Sequence, residues 1–140
     1  MAKDIVVFVG GFFDPIHFNH ILYLEEAKKL GTKLAVCVAT DKQVKIKGSV
    51  PFMTEDERLA VVRAIHCVDF AFLSGDDDIS VAKTLEMIRP NIFAKGGNRT
   101  IDTLPQQEID ACKKHGIEII CGICGNDASS SEIKNRLLKK

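Results

Sequence analysis

The sequence predicts an α/β fold: a Rossmann-like, doubly wound, five-stranded parallel sheet with helices on both faces. Five short apolar runs alternate along the chain with stretches of helical periodicity. Continuous apolar runs indicate strands that are buried on both faces, as the strands of parallel sheets are. The length of 140 residues suits one domain, so we expect a single domain over residues 1–140.

The first half of the chain contains three predicted strands and two predicted helices. They are a strand over Ile5–Val9, a helix over Phe18–Leu30, a strand over Leu34–Ala39, a helix from Thr54 to about His66, and a strand over Val68–Leu73. Gly31 occupies the position of a helix C-cap. Thr54 and Glu57 have the spacing of a capping box, which marks a helix start. Between the second strand and Pro51 we expect a lysine-containing loop.

The second half opens with an acidic run, Asp76–Asp78. We expect this run to be a solvated helix start, because negative charge suits the positive end of a helix dipole. The further predicted elements are a helix ending at about Arg89, a strand over Asn91–Ala94, a helix over Pro105–His115, a strand over Ile117–Cys121, and a last helix from Ser129 to Lys140.

The predicted order of the strands places a ligand site at one edge of the sheet. Right-handed crossovers favour the order 3-2-1-4-5. The order then reverses between the first and fourth strands, and ligands bind beyond the carboxyl ends of such strands. Gly10-Gly11 and Gly96-Gly97 follow these two strands in the sequence. We therefore expect the functional site between them.

Composition excludes several classes of partner. Lys and Arg number 19, Asp and Glu number 19, and the formal net charge is zero. A basic field over the whole protein is therefore excluded, and we expect neither a nucleic acid nor a membrane as partner. No apolar run has the length of a membrane span, and the N-terminal run is shorter than a signal peptide requires. We expect a cytoplasmic protein whose five cysteines are free thiols.

The clearest candidate site is the segment from Gly10 to His20. His17 and His20 are three residues apart at a predicted helix start, so both rings face one way beside unpaired backbone N–H groups. This arrangement is typical of an anion-binding cradle. A zinc site would need a third ligand, which the segment lacks. A purely structural alternative is one capping and one packed histidine. The segment matches neither G-x-G-x-x-G nor a Walker A loop.

The pattern G-x-F-D-x-x-H-x-x-H in this segment resembles the H-x-G-H motif of the cytidylyltransferase-like nucleotidyltransferases. That family includes glycerol-3-phosphate cytidylyltransferase, the nucleotidyltransferase of the ADP-heptose pathway and archaeal FAD synthase. The resemblance extends from Val6 to about Leu137. Later segments agree in order: Lys47-Gly48, Glu57-Arg58, Val68-Asp69, Lys95-Gly96-Gly97 and Ser129-Ser130-Ser131.

The resemblance implies a role for each matching residue. His17, His20 and Lys47 are the implied catalytic residues. The implied nucleotide-binding residues are Gly11, Phe12, Phe13, His17, His20, Gly96, Asn98, Ser129, Ser130 and Ser131. The implied substrate-binding residues are Asp14, Arg58 and Lys95. No protein side chain is implied as a metal ligand.

The implied reaction moves a nucleoside monophosphate from CTP or ATP, with CTP favoured, to a phosphorylated small alcohol or sugar. Pyrophosphate leaves, Mg²⁺ accompanies the triphosphate, and the protein is a homodimer. The acceptor phosphate is largely ionised at neutral pH, since its second pKa is about 6, so no general base is needed.

Two other functions stay open. Asn19 replaces the glycine of H-x-G-H, and Cys124 and Asp127 occupy the positions of an arginine and a glycine in the family's second signature. A nucleotide-binding sensor on the same fold is therefore the alternative. A thiol-redox protein that uses Cys121 and Cys124 is a third hypothesis, although the pair lacks the usual helix N-terminus.

Overall fold

The computed structural model describes residues 3–97 and 99–123. The elements in these ranges are β1 (Val6–Gly11), α1 (Phe18–Lys28), β2 (Lys33–Val38), α2 (Asp41–Ile46), α3 (Glu55–Arg63), β3 (Phe70–Leu73), α4 (Ala82–Ile88), β4 (Ile92–Gly96), α5 (Gln106–His115) and β5 (Glu118–Ile123). A short 3-10 turn spans Ile101–Thr103. The last predicted helix lies outside the described residues.

The five strands form one parallel sheet in the order β3-β2-β1-β4-β5, as predicted. β1 pairs with β2 from Val6 to Gly11 and with β4 at Val7 and Phe8. The strand order therefore reverses between β1 and β4. Gly11 and Gly96 end these two strands, so the predicted switch point lies where the sequence indicated.

The core consists of two layers, one on each face of the sheet. Side chains of α1 and α3, such as Leu24 and Val62, pack on one face. Side chains of α4 and α5, such as Leu85 and Cys112, pack on the other with Phe8. Burying a side chain of this size stabilises the fold by about 1.5–3 kcal/mol. The loops at the carboxyl edge of the sheet are thus attached to strands that are packed on both faces.

The segment after β2 is a short helix, α2, and the prediction of a loop there was wrong. Thr40 Oγ1 accepts a hydrogen bond from Gln43 N at 3.2 Å, and Gln43 Oε1 accepts one from Thr40 N at 2.9 Å. These two bonds form a capping box that starts the helix. The helix ends at Lys47, which is its C-cap.

The acidic run after β3 differs from the solvated helix start that we expected. Asp76 is buried, and its carboxylate accepts hydrogen bonds from Lys83 N at 2.8 Å, Thr84 N at 2.9 Å and Thr84 Oγ1 at 2.6 Å. It thus satisfies the free backbone donors of the first turn of α4. Asp77 is exposed, in agreement with the expectation.

Gly31 is not the C-cap of α1, because that position belongs to Lys29. The backbone of Gly31 does not adopt a positive φ angle. A Cβ atom at this position would lie 2.4 Å from the carbonyl oxygen of Ile5, so the close approach of the two segments excludes a side chain. None of the helices in the described ranges combines the length and apolar character of a membrane-spanning helix.

Candidate active site

Two cavities open at the carboxyl ends of β1 and β4. The histidine cavity has a volume of about 200 Å³ and is lined by Phe13, His20, Tyr23 and Gly96, among others. The Lys47 cavity has a volume of about 210 Å³ and is lined by Phe12, Gln43, Lys47, Ser74 and Glu108, among others. Both are also lined by Gly10, Gly11, Lys95 and Arg99. The cavities therefore adjoin at the switch point.

A larger surface cavity of about 620 Å³ lies elsewhere, over α4 and α5. Its lining is rich in carboxylates, including those of Asp76–Asp78, Glu86 and Asp110. Such a surface repels a triphosphate. The two smaller cavities are the better candidates for the site.

His17 and His20 come together at the start of α1. His17 is the N-cap residue and His20 lies one turn into the helix. The two rings stack, with centroids 3.9 Å apart and an interplanar angle of 23°. His20 Nδ1 accepts a hydrogen bond from His17 N at 3.2 Å. In the neutral His20 ring the proton therefore resides on Nε2, which is left as a donor.

Burial keeps both imidazoles neutral at pH 7. Burial, together with the neighbouring His17, lowers the pKa of His20 from its ordinary value of 6.5 to about 4. Burial also lowers the pKa of His17. The pair thus supplies neutral hydrogen-bond donors rather than fixed positive charges.

His17 has no hydrogen-bond partner at either ring nitrogen within residues 3–97 and 99–123, although both atoms are buried. A buried polar atom without a partner costs about 1–3 kcal/mol. Because these atoms lie beside a helix N-terminus, a phosphate oxygen is the kind of group that would satisfy them.

Two aromatic rings pack against the glycines that end β1 and β4: Phe13, in the loop after β1, lies on Gly11, and Tyr23 of α1 lies on Gly96. A Cβ atom on Gly11 would lie 2.7 Å from the ring of Phe13, and one on Gly96 would lie 3.0 Å from the ring of Tyr23. Phe13 itself has a φ angle of 50°, which a side-chain-bearing residue seldom adopts. These close approaches exclude a side chain at either glycine unless the rings move.

Lys47 lines the cavity that adjoins the histidine cavity. Its Nζ atom lies 4.3 Å from the centre of the Phe12 ring, a cation–π contact. The side chain is otherwise exposed at the end of α2. The structure thus brings Lys47 to the cavity beside the one that contains His20.

Asp14 and Arg58 line neither of the two cavities. They bond instead to the backbone of the segments around the site. Both Asp14 carboxylate oxygens accept backbone hydrogen bonds at 2.8 Å, from Phe52 N and Met53 N. Arg58 is buried and donates to three carbonyl oxygens and to a carboxylate. The substrate contacts expected of these two residues find no support in this geometry, because their polar groups already bond within the protein.

Lys95 lies where the two cavities adjoin. Its Nζ atom is 3.9 Å from Glu108 Oε1 and 5.0 Å from the centre of the Phe93 ring. Burial lowers the pKa of Lys95, which the Glu108 carboxylate opposes, and burial raises the pKa of Glu108. Glu108 was not predicted from the sequence, since one acidic residue in a charged helix has no distinguishing signal.

Several predicted residues lie outside the described residues. They are Asn98, Cys124, Asp127, Ser129, Ser130 and Ser131. Among the described residues, no group of three His, Cys, Asp or Glu side chains could hold a metal ion. Cys37 lines the Lys47 cavity, but burial raises its pKa to about 12, so it remains an unreactive thiol.

The lowered pKa of His20 predicts a pH-dependent loss of stability. Above pH 6.5 the ring is neutral in both the folded and unfolded chains, whereas between pH 6.5 and about 4 only the unfolded chain takes up the proton. Stability therefore falls as the pH falls through this window. At a pH below the pKa of His20 in the folded chain, the stability lost through His20 approaches about 3 kcal/mol, because each pKa unit corresponds to about 1.4 kcal/mol.

Urea unfolding of wild type and His20→Asn, measured from pH 7 to pH 4, checks this. We expect a smaller loss in the variant, because asparagine does not titrate and can still accept from His17 N. His66→Asn is the control, since the His66 side chain is 81% exposed. Equal losses in wild type and His20→Asn would contradict the prediction.

Known proteins of similar sequence identify the family of this chain. The family described as Cytidylyltransferase-like matches residues 8–136. FAD synthase of Methanoculleus marisnigri is 39% identical over 138 residues, which cover 94% of this chain and 88% of that protein. Bifunctional protein HldE of Citrifermentans bemidjiense is 33% identical over 135 residues, which cover 95% of this chain. This chain spans only 27% of the HldE length.

Solved structures show the same fold. The crystal structure of the lipopolysaccharide core biosynthesis protein from Thermoplasma volcanium superposes with a TM-score of 0.72 and 31% sequence identity, covering 91% of this chain and all of that one. The family match covers most of the chain and includes both histidines and Lys47. The chain therefore belongs to the cytidylyltransferase-like family of nucleotidyltransferases.

Proposed function

We propose that this protein transfers a nucleoside monophosphate from CTP or ATP to the phosphate of a small alcohol or sugar and releases pyrophosphate. The observation that carries the proposal is the His17–His20 pair. Two neutral imidazoles stack at a helix N-terminus, and the buried nitrogens of one have no partner among the described residues. Donors fixed in this way stabilise charge as it develops on a phosphate.

In the proposed reaction, an oxygen of the acceptor phosphate attacks the α-phosphorus of the nucleotide. The bond from the α-phosphorus to the oxygen bridging to the β-phosphate breaks, and pyrophosphate leaves with that electron pair. The attacking phosphate is already ionised at neutral pH, so positioning and charge stabilisation supply the catalysis. Mg²⁺ enters as part of the triphosphate substrate.

We assign roles to residues by where they lie. The histidine cavity would hold the nucleotide's phosphates, with His20 Nε2 as a donor and the backbone of Gly11, Phe13 and Gly96 as its walls. The Lys47 cavity would hold the phosphorylated acceptor. Asn98 and the serines Ser129, Ser130 and Ser131 remain proposed nucleotide contacts on the family resemblance alone.

The choice of nucleotide is a separate question within this proposal. The family resemblance favoured CTP, whereas a relative named FAD synthase favours an adenylyl donor. The homodimer, the cytoplasmic location and the extent of the single domain stay predictions.

The test is a grid of the four common nucleoside triphosphates with Mg²⁺ against four acceptors: a sugar phosphate, glycerol phosphate, an amino-alcohol phosphate and flavin mononucleotide. We expect pyrophosphate release with CTP or ATP only when a phosphorylated acceptor is present. Tight nucleotide binding with no pyrophosphate from any combination would instead support the sensor.

A further inference from the structure

Few side chains line the boundary between the two cavities. Of the four residues that line both cavities, two are Gly10 and Gly11, which present only backbone. The other two are the basic residues Lys95 and Arg99. Positive charge is therefore concentrated where the cavities meet.

This boundary is where the reacting groups must meet if the proposed function is right. The acceptor phosphate in one cavity has to approach the α-phosphate in the other. Two anions approaching in a partly desolvated site repel each other strongly. A cation between them removes this repulsion and stabilises the charge that develops during transfer.

The side chain of Lys95 is more restricted than that of Arg99. The Lys95 side chain is only 15% exposed, whereas Arg99 is exposed. The Lys95 ammonium lies over the ring of Phe93 and faces Glu108. These contacts restrict a side chain that is flexible when it is solvated.

Glu108 is unusually placed for a carboxylate. The residue is 2% exposed, and its Oε2 atom accepts a hydrogen bond from Val81 N at 3.0 Å. Its Oε1 atom is buried and has no hydrogen-bond partner in the described part of the chain. That oxygen lies 3.9 Å from Lys95 Nζ, so the carboxylate is anchored on one side and faces the ammonium on the other.

We propose that Lys95 is the cation that bridges the acceptor phosphate and the nucleotide's α-phosphate, and that Glu108 is a positioning residue that holds the ammonium at this boundary. Lys95 keeps its proton and forms no covalent bond. Bond formation and cleavage are those of the proposed transfer, on which this inference rests.

Lys95→Met and Glu108→Gln test the proposal by steady-state kinetics, with the nucleotide and acceptor that the wild type uses. We expect Lys95→Met to lower kcat on the order of 100-fold, with less than about a threefold change in the nucleotide KM. Glu108→Gln keeps the side chain's shape and an oxygen for Val81 N. It is expected to lower kcat by about 10-fold, because the cation remains but is less well placed.

The pH profile separates positioning from a merely structural role. Burial and Arg99 lower the pKa of Lys95, while Glu108, Cys121 and Cys37 raise it. Removing the Glu108 charge lowers that pKa further, so the alkaline limb of the kcat profile shifts to lower pH in Glu108→Gln. Glu86→Gln is the matched control, since the half-buried Glu86 faces Lys114 at 3.5 Å and lines neither cavity of the site. The control profile is expected to match the wild type.

A binding measurement distinguishes failure of this inference from failure of the proposed function. The probes are the α,β-methylene analogue of CTP or ATP, which cannot release pyrophosphate, and inorganic phosphate. In wild type, phosphate is expected to weaken binding of the analogue by less than about threefold, and in Lys95→Met by about 10-fold or more.

The kinetic and binding results together distinguish three outcomes. An unshifted alkaline limb in Glu108→Gln, or unchanged kcat and unchanged binding in Lys95→Met, would overturn the inference while transfer by the wild type stands. If phosphate weakens binding of the analogue only in Lys95→Met, but the wild type transfers to no acceptor, the proposed function is overturned and the bridging role of Lys95 stays in place. If the wild type shows no transfer and the effect of phosphate on binding is the same in wild type and Lys95→Met, both the inference and the proposed function are overturned.

Discussion

Replacing either histidine of the stacked pair is expected to lower kcat on the order of 100-fold or more while the protein stays folded. His17→Ala removes a ring whose two buried nitrogens have no hydrogen-bond partner in the described structure. His20→Ala removes the Nε2 donor and also the acceptor of the bond from His17 N. Both effects follow from losing a donor that is fixed before the phosphate arrives.

The measurement is pyrophosphate release under saturating nucleotide and acceptor, with thermal unfolding as a check of the fold. His66→Ala is the matched control, because it is a histidine of the same chain with an exposed side chain. It is expected to keep wild-type kcat. Wild-type rates in both His17→Ala and His20→Ala would show that the phosphates bind elsewhere.

Replacing Arg58 is expected to cost the fold about 3–5 kcal/mol, the usual effect of removing one partner of a buried charged network. The guanidinium donates to the carbonyl oxygens of Met53, Phe12 and Ala39 and to the carboxylate of Asp41, at distances of 2.6–3.1 Å. Arg58→Met leaves all four acceptors without this donor. A loss of this size is a large part of the 5–15 kcal/mol that stabilises a typical domain.

The free energy of unfolding in urea measures this loss. Arg63→Met is the control, since Arg63 lies in the same helix and is exposed. We expect its loss to stay below about 1 kcal/mol. Arg58→Lys is expected to recover only part of the stability, because an ammonium cannot reproduce the fork of the guanidinium. A loss below about 1 kcal/mol in Arg58→Met would contradict the structural role assigned to Arg58.

The consequence of Arg58 for the site is indirect. Its bonds to the carbonyl oxygens of Phe12 and Ala39 connect the loop between β1 and α1 to the turn that follows β2. Asp14 connects the same loop to the backbone at Phe52 and Met53. Residues that the family pattern places in the site can thus act by holding the loop in shape, at a distance from any ligand.

The sequence predicted the order of the sheet because its signals are local and strong. Each strand is a continuous apolar run, and the handedness of the crossovers leaves few orders to choose from. The His17–His20 pair was predicted for the same reason, since a spacing of three residues at a helix start places both rings on one side.

What the sequence did not reveal depends on contacts between distant segments. Glu108 lies in α5 among charged residues, and the partners of its carboxylate, Val81 N and Lys95 Nζ, come from distant parts of the sequence. Asp76 was expected in water because the backbone donors that it caps lie seven and eight residues further on. For α2 the signal was present but missed: Thr40 and Gln43 form a capping box within a lysine-rich segment.

The fate of the α-phosphorus distinguishes nucleotidyl transfer from other phosphate chemistry. The protein would be incubated with Mg²⁺, CTP or ATP labelled with ³²P at the α-position, and each phosphorylated acceptor in turn. Nucleotidyl transfer predicts that the label enters the acceptor product while one unlabelled pyrophosphate is released for each product formed. If the α-label stays in free nucleoside diphosphate while the γ-phosphate moves to the acceptor or to water, the protein is a kinase or a hydrolase and this account is wrong.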